Sequence, residues 1–366
     1  MLTRSLPLPV LTFDNKMDHE QLGFKKLKAV KRRAITEGRG LVTAQPLFPE
    51  RTLPLLVEPS VSGLDPVAWA TRNRDFIETS LRKHGGILFR NFNIKTAELF
   101  AQFMAATAGE LLTYNERSSP RTQVTDHVYT STDYPAAYSI FVHNENSYQR
   151  KWPMKIFFFC ETPAESGGET PIADCRRVYA TLPATIKERF RAKNWMYVRN
   201  FGDGFGLPWR TVFQTDDRAV VEDHCRRNGI DASWKNDDRL RLRAVRRAIH
   251  EHAYTGEEVW FNHATFFHIS TMEPAVREAL LAEVTEDDLP TNSYYGDGSP
   301  IEPDVLEELR RHYREETVIF SWQRGDTLLL DNMLVAHGRA PFRGTRKIMV
   351  GMAQQFGETE SASLLH

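Results

Sequence analysis

The chain has 366 residues, 41% of them hydrophobic and 26% charged, with a formal net charge of −1. These are ordinary proportions for a globular protein, and the near-neutral balance excludes the broad basic surplus that nucleic-acid binding draws on. No apolar run approaches the roughly 18 residues of a membrane span, so no membrane partner is expected.

The N-terminal run Leu6-Pro7-Leu8-Pro9-Val10-Leu11 makes a poor secretory signal because of its two prolines. Cys160, Cys175 and Cys225 have no paired spacing, which predicts reduced thiols and a cytoplasmic location. Residues 1–55 read as a peripheral segment. Its basic stretch Lys25–Arg33 is expected to be a solvated helix face, since no aromatics are interleaved with it. Residues 56–366 read as a single domain. Asp65-Pro66 opens a predicted helix over Val67–His84, and Gly85-Gly86 stops it. A strand over 86–92 follows, then a helix to Ala108 capped by Thr96.

Strands are predicted over 139–145 and 154–160, the second apolar enough to be central. Past the loop Gly167-Gly168-Glu169-Thr170-Pro171 comes a short helix over 183–192. Residues 194–316 form a long mixed insert, with a helix from Pro303 to about Glu315. Segment 239–249 fits neither the strand nor the helix period. Strands over 318–322, 327–330 and 346–354 close the chain. The pattern predicts a mainly β fold, a double-stranded β-helix (jelly roll) with flanking helices and the insert as a lid.

His143 and Glu145 end the strand-like run Tyr138-Ser139-Ile140-Phe141-Val142. At i and i+2 on an extended strand, their side chains share one face. Two imidazoles and one carboxylate make a facial triad for non-haem iron, with open positions for other ligands. His337, beyond Gly325-Asp326-Thr327-Leu328-Leu329-Leu330-Asp331-Asn332, is the remote candidate for the third corner. His250 and His252, or His263 and His268, could instead bind zinc. Neither pair has a carboxylate at matching parity, so they read as packing or pocket residues. Arg346, with Arg339, Arg343 and Lys347 close by, could clamp a carboxylate by bidentate pairing, and Thr170 could add a hydroxyl. The plainer alternative is ordinary surface charge.

Taken together these stretches resemble the iron(II)/2-oxoglutarate-dependent oxygenases of the taurine dioxygenase (TauD/TfdA) superfamily, most of all its SyrP-like branch. The resemblance spans about residues 80–355. It is carried by Gly85–Arg90, Ser118-Ser119-Pro120-Arg121, Tyr129–Thr132, His143-Asn144-Glu145, Gly167–Pro171, Val259–His263 and Gly325–Asn332 through His337 to Arg346. It implies iron on His143, Glu145 and His337, and 2-oxoglutarate on the metal with its far carboxylate on Arg346 and Thr170. Arg343 and Lys347 are alternatives for the arginine's role. The implied reaction uses O2, releases succinate and CO2, and hydroxylates an unactivated C–H of a small substrate.

SyrP-like relatives suggest an amino acid, free or tethered to a carrier protein, in antibiotic or other natural-product biosynthesis. Arg121, Asn144, Asn146 and Ser147 are the expected substrate contacts, and Trp260, Asn262 and Phe266 the pocket lining. Glu145 replaces the commoner Asp, as in clavaminate synthase, and an intact carboxylate there argues against halogenation. Val350 stands where taurine dioxygenase has a second arginine, which argues against a sulfonate substrate. Desaturation, epoxidation or cyclisation by the same chemistry, a non-catalytic jelly-roll binder and a zinc hydrolase are the competing readings.

Overall fold

The apolar run predicted to be central is the middle of a 12-residue strand, Lys151–Thr162. The computed structural model describes residues 38–113, 122–131, 134–202, 206–235 and 238–357. The basic stretch Lys25–Arg33 and Arg121 lie outside them. Lys151–Thr162 pairs antiparallel with Thr327–Asp331 on one side and Lys347–Gly357 on the other. Gly86–Phe89 and Leu55–Pro59 extend the sheet beyond Thr327–Asp331, and Val42–Pro46 forms one edge. That edge strand falls within the segment expected to be peripheral.

This strand is apolar without alternation because both its faces are covered. Ile156, Phe158 and Cys160 face a core shared with Ile172, Val335 and Ala336. Phe157 and Phe159 face a second core with Ile77, Phe100 and Phe103. The first core lies against a smaller antiparallel sheet, ordered Thr317–Val318, Ile172–Asp174, Val335–Arg339, Ile140–His143. The second lies under helices. Two facing sheets of this kind form the expected jelly-roll core, here as an open sandwich rather than a closed barrel.

Asp65 caps the first helix through Val67 and Ala68 N–H, as its sequence position requires. The single helix predicted over 67–84 is in fact two, Pro66–Arg72 and Arg74–His84. They break at Asn73, whose side-chain amide donates to the Trp69 carbonyl and competes with the helical ladder. Ala97–Ala108 runs from its Thr96 cap as expected. The strand predicted over 318–322 is only Thr317–Val318, and a helix missed by the sequence reading, Cys175–Thr181, is capped by Asp174.

The insert builds its own antiparallel sheet, ordered Asp231–Lys235, Arg239–Arg246, Trp195–Phe201, Thr291–Tyr295. Arg239–Arg246 is a strand with Leu240, Leu242 and Ala244 buried. Arg241 and Arg243 reach Asp287 and Asp231 on the other face, which resolves the ambiguous period. No helix among the described residues is long and apolar enough to cross a membrane.

Two outcomes follow from this packing. Phe159 is 1% exposed and stacked on Phe100 at 5.2 Å. Phe159→Ala should therefore cost about 3–5 kcal/mol by urea denaturation, with the m-value unchanged. Burial, with Arg310 nearby, pushes the His268 imidazole down to about 4. Its Nδ1 accepts the Ser270 N–H and so needs the neutral ring. The unfolded state binds the extra proton first, so this contribution is complete above about pH 6.5 and is lost as pH falls toward 4. Unfolding curves across that window should flatten in His268→Asn.

Candidate metal and co-substrate site

The site is assembled where the chain leaves the large sheet for the small one. Thr327–Asp331 ends in a turn held by Asp331, whose Oδ1 accepts the Met333 and Leu334 N–H groups. Its Oδ2 lies 3.1 Å from His252 Nε2, which accounts for that buried histidine. The chain then enters Val335–Arg339, a strand the sequence reading did not separate, with His337 at its centre. In the small sheet His337 is the direct cross-strand partner of His143, and their rings are 4.7 Å apart. Gly338 follows at the register shift, where a Cβ would meet the Ile140 carbonyl oxygen at 2.5 Å. Close strand approach at this point therefore needs glycine.

Glu145 reaches the histidines by a different route from the one expected. The strand ends at His143, and Glu145 lies in the turn beyond it, so strand parity does not place the carboxylate. Asn332 does. Its Oδ1 accepts the Glu145 N–H at 2.8 Å, and its Nδ2 donates to the Glu145 and Pro153 carbonyls. Asn144 adds a bond to the Asn332 carbonyl at 2.7 Å. Glu145 is 3% exposed, with Oε2 3.8 Å from His337 Nε2.

His143 Nδ1 lies 2.9 Å from the Phe141 carbonyl. A proton there directs the Nε2 lone pair to be the ligand atom, the usual arrangement for a ligating imidazole. Each of the three residues offers a ligand atom within 4.8 Å of the others, the sole such group among the described residues. Ligands in cis positions about 2.1 Å from one ion are about 3 Å apart, so this nitrogen-and-oxygen donor set fits a small divalent cation.

The neighbouring cavity is lined by His143, Phe158, Thr170, His337, Arg346 and Val350. Ile172 pairs with His337 on its other side, and Gly338 N–H donates to the Pro171 carbonyl, which brings Thr170 alongside. Thr170 Oγ1 accepts from Trp322 Nε1 at 3.2 Å, leaving its hydroxyl proton to donate. Arg346 enters beneath the Gly167-Gly168 turn, where both residues have positive φ, and donates through Nε to the Gly168 carbonyl.

Burial, reinforced by Arg339, pushes the Arg346 guanidinium down to about 10, against opposing fields from Cys160 and Glu169. Among the described residues it has no carboxylate partner, so no side-chain anion pairs with its positive charge at the cavity. Lys347 pairs with Glu161 at 2.6 Å, Arg343 is exposed, and Arg339 is tied to the carbonyls of Tyr134, Pro135 and Tyr138. Of those three only Arg339 shares the cavity lining with Arg346, and its guanidinium already donates to those three carbonyls.

The other predicted residues divide. Phe266 stacks on His143 at 4.3 Å and lines a cavity of about 330 Å³. Asn146, with φ of 57°, lines a second cleft of about 520 Å³. Ser147 Oγ lies 2.5 Å from His263 Nδ1, and burial holds His263 well below its usual range, helped by His143 and Arg199. Asn144, Trp260 and Asn262 are built into the fold. Trp260 packs on Phe190, and Asn262 spans the Ala248 carbonyl and the Ala264 N–H. Asn332 was not singled out from sequence. Its signal was an Asp-Asn pair ending an apolar strand.

A jelly-roll sandwich holding two imidazoles, a carboxylate and a guanidinium with no carboxylate partner among the described residues has the build of a non-haem iron, 2-oxoglutarate-dependent dioxygenase. Comparison with known proteins agrees: residues 46–353 match the taurine catabolism dioxygenase TauD, TfdA family, and the chain belongs to that family. It is 42% identical over 276 residues to the dapdiamide synthesis protein DdaC of Enterobacter agglomerans, covering 75% of this chain and 84% of that protein. It is 29% identical over 291 residues to a clavaminate synthase-like protein of Arabidopsis thaliana, covering 77% and 85%. In fold it is similar to PvcB from Pseudomonas aeruginosa, with a TM-score of 0.52 at 16% identity, covering 86% of this chain and 91% of PvcB.

Replacing Asn332 with Ala strands the Glu145 N–H and two carbonyls, at about 1–3 kcal/mol each if they stay dry. Metal affinity should fall by about 10–100-fold as the carboxylate loses its support. Titration of the folded variant with Mn(II) reads this directly, and unchanged affinity would refute the role given to Asn332.

Proposed function

We propose that His143, Glu145 and His337 hold iron(II), that Arg346 and Thr170 take the far carboxylate of 2-oxoglutarate, and that the enzyme hydroxylates an unactivated C–H of a small amino-acid-derived substrate. The observation that carries this reading is a clustered donor set whose two imidazoles share one cavity with a half-buried arginine that has no carboxylate partner among the described residues. When bound, iron(II) with 2-oxoglutarate and O2 supplies the oxidising chemistry, with succinate and CO2 as co-products.

The chain's own part is positioning. Asn332 and the strand pair present the three ligands, and the Phe141 carbonyl orients His143. The Thr170 hydroxyl and the Arg346 fork orient a dicarboxylate, while Phe158, Val350 and Ile140 keep water from the cavity. The relationship to a dapdiamide synthesis protein supports natural-product biosynthesis. In this reading the amino acid is free or carrier-tethered and the enzyme works in the cytoplasm. Residues 56–366 act as one catalytic domain in this reading, with 194–316 as its lid. The same arrangement suits desaturation, epoxidation or cyclisation, which differ in where the substrate carbon lies.

Anaerobic addition of iron(II) and 2-oxoglutarate should produce a weak visible charge-transfer band. Glu145→Ala should abolish it, and Arg346→Gln should raise the 2-oxoglutarate concentration needed by about 10–100-fold. Succinate release across amino acids, free and as carrier thioesters, then identifies the substrate. A wild-type protein that gives no band, or that turns over only with sulfonates, would sink the proposal.

A further inference from the structure

A second guanidinium without a counter-ion among the described residues lies in the insert sheet. Arg199 lies in Trp195–Phe201, a central strand of the insert sheet, on the same alternating face as Trp195, Tyr197 and Phe201. That face is aromatic and buried, and Tyr197 packs against Tyr148 and Phe267. The Arg199 guanidinium lies 5.9 Å from the Tyr148 ring centroid and 4.9 Å from that of Phe201. Among the described residues it has neither a carboxylate partner nor a hydrogen bond.

Its neighbouring arginines are occupied. Arg246 donates to the carbonyls of Tyr148, Asn228, Gly229 and Val245, and Arg227 pairs with Asp223. A cation held on an apolar face without a counter-ion costs free energy that two ring contacts only partly offset. Such a residue is explained when an anion arrives with a ligand.

Arg199 is also close to the metal cluster. The Tyr148 ring is 5.1 Å from that of His263, which is 5.7 Å from that of His143. It borders both the cleft that contains Asn146 and the cavity of about 330 Å³ beneath Phe266. Among the described residues lining the latter cavity it is the one charged side chain, beside Phe141, Phe201, Leu207, Phe266 and Met272.

We propose that Arg199 binds a carboxylate of the substrate, whose apolar body lies in the Phe266 cavity with the carbon to be oxidised beside His143 and Glu145. This rests on the function proposed above and narrows its substrate class to small free acids with an apolar body. A planar monoanion matches a single guanidinium fork, whereas an α-carboxylate tied up as a thioester would leave Arg199 unpaired.

The test uses full-length protein loaded with Mn(II) and 2-oxoglutarate. Binding of N-acetyl-leucine, N-acetyl-valine and N-acetyl-phenylalanine is measured by calorimetry against that of the corresponding primary amides. At least one acid should bind more than 10-fold tighter than its amide. Arg199→Gln should erase that preference, and Arg199→Lys, which keeps charge but not the fork, should restore part of it. Acids and amides binding alike, no acid binding at all, or a preference that survives Arg199→Gln would each overturn the proposal. The iron(II)/2-oxoglutarate band is recorded for every variant. It should be unchanged in Arg199→Gln, and its absence from the wild type would count against the proposed function instead.

Discussion

The structure depends on one corner, where the last strand of the large sheet turns through Asp331 and Asn332 into the strand that carries His337. Asp331 shapes the turn with one carboxylate oxygen and anchors to His252 with the other. Asn332 then holds the Glu145 turn through both ends of its amide. Because these groups are buried, every bond the corner makes must be made, or a dry polar group is left without a partner. One short segment thereby sets the positions of a carboxylate and an imidazole that lie nearly two hundred residues apart.

Around this corner the molecule places two cations where a folding chain gains nothing from them. Arg346 shares a cavity with Thr170, His143 and His337, and Arg199 lies against Tyr148, whose ring packs on His263. Each faces a cavity and each lacks a carboxylate among the described residues. A half-buried guanidinium held without a counter-ion costs free energy, and two of them near the same three ligands fit the proposal of two anionic small molecules.

Much of the architecture was legible in the sequence, for identifiable reasons. Asp65-Pro66 and Thr96 mark helix starts because their side chains or ring act locally. The unbroken apolar run 154–160 marks a strand covered on both faces. Failures came where competing bonds are non-local or the signal is short. Asn73 splits a helix with its own amide, and the two-residue strand Thr317–Val318 exists only through its partner Ile172–Asp174. Arg199 did carry a signal, as the lone charge in Trp-Met-Tyr-Val-Arg-Asn-Phe. Nothing local showed that no partner would meet it.

The sequence alone determined which donors were available: a His-x-Glu pair, a remote histidine and an arginine nine residues beyond it offer the ligand types of a non-haem iron site. Tertiary structure decided how they meet. The Glu145 carboxylate arrives through the Asn332 clamp and not through strand parity, and Arg346 enters the cavity while Lys347 turns to Glu161. The physical reason is that residue type fixes ligand chemistry, whereas side-chain direction at a strand end or turn depends on hydrogen bonds from elsewhere in the chain.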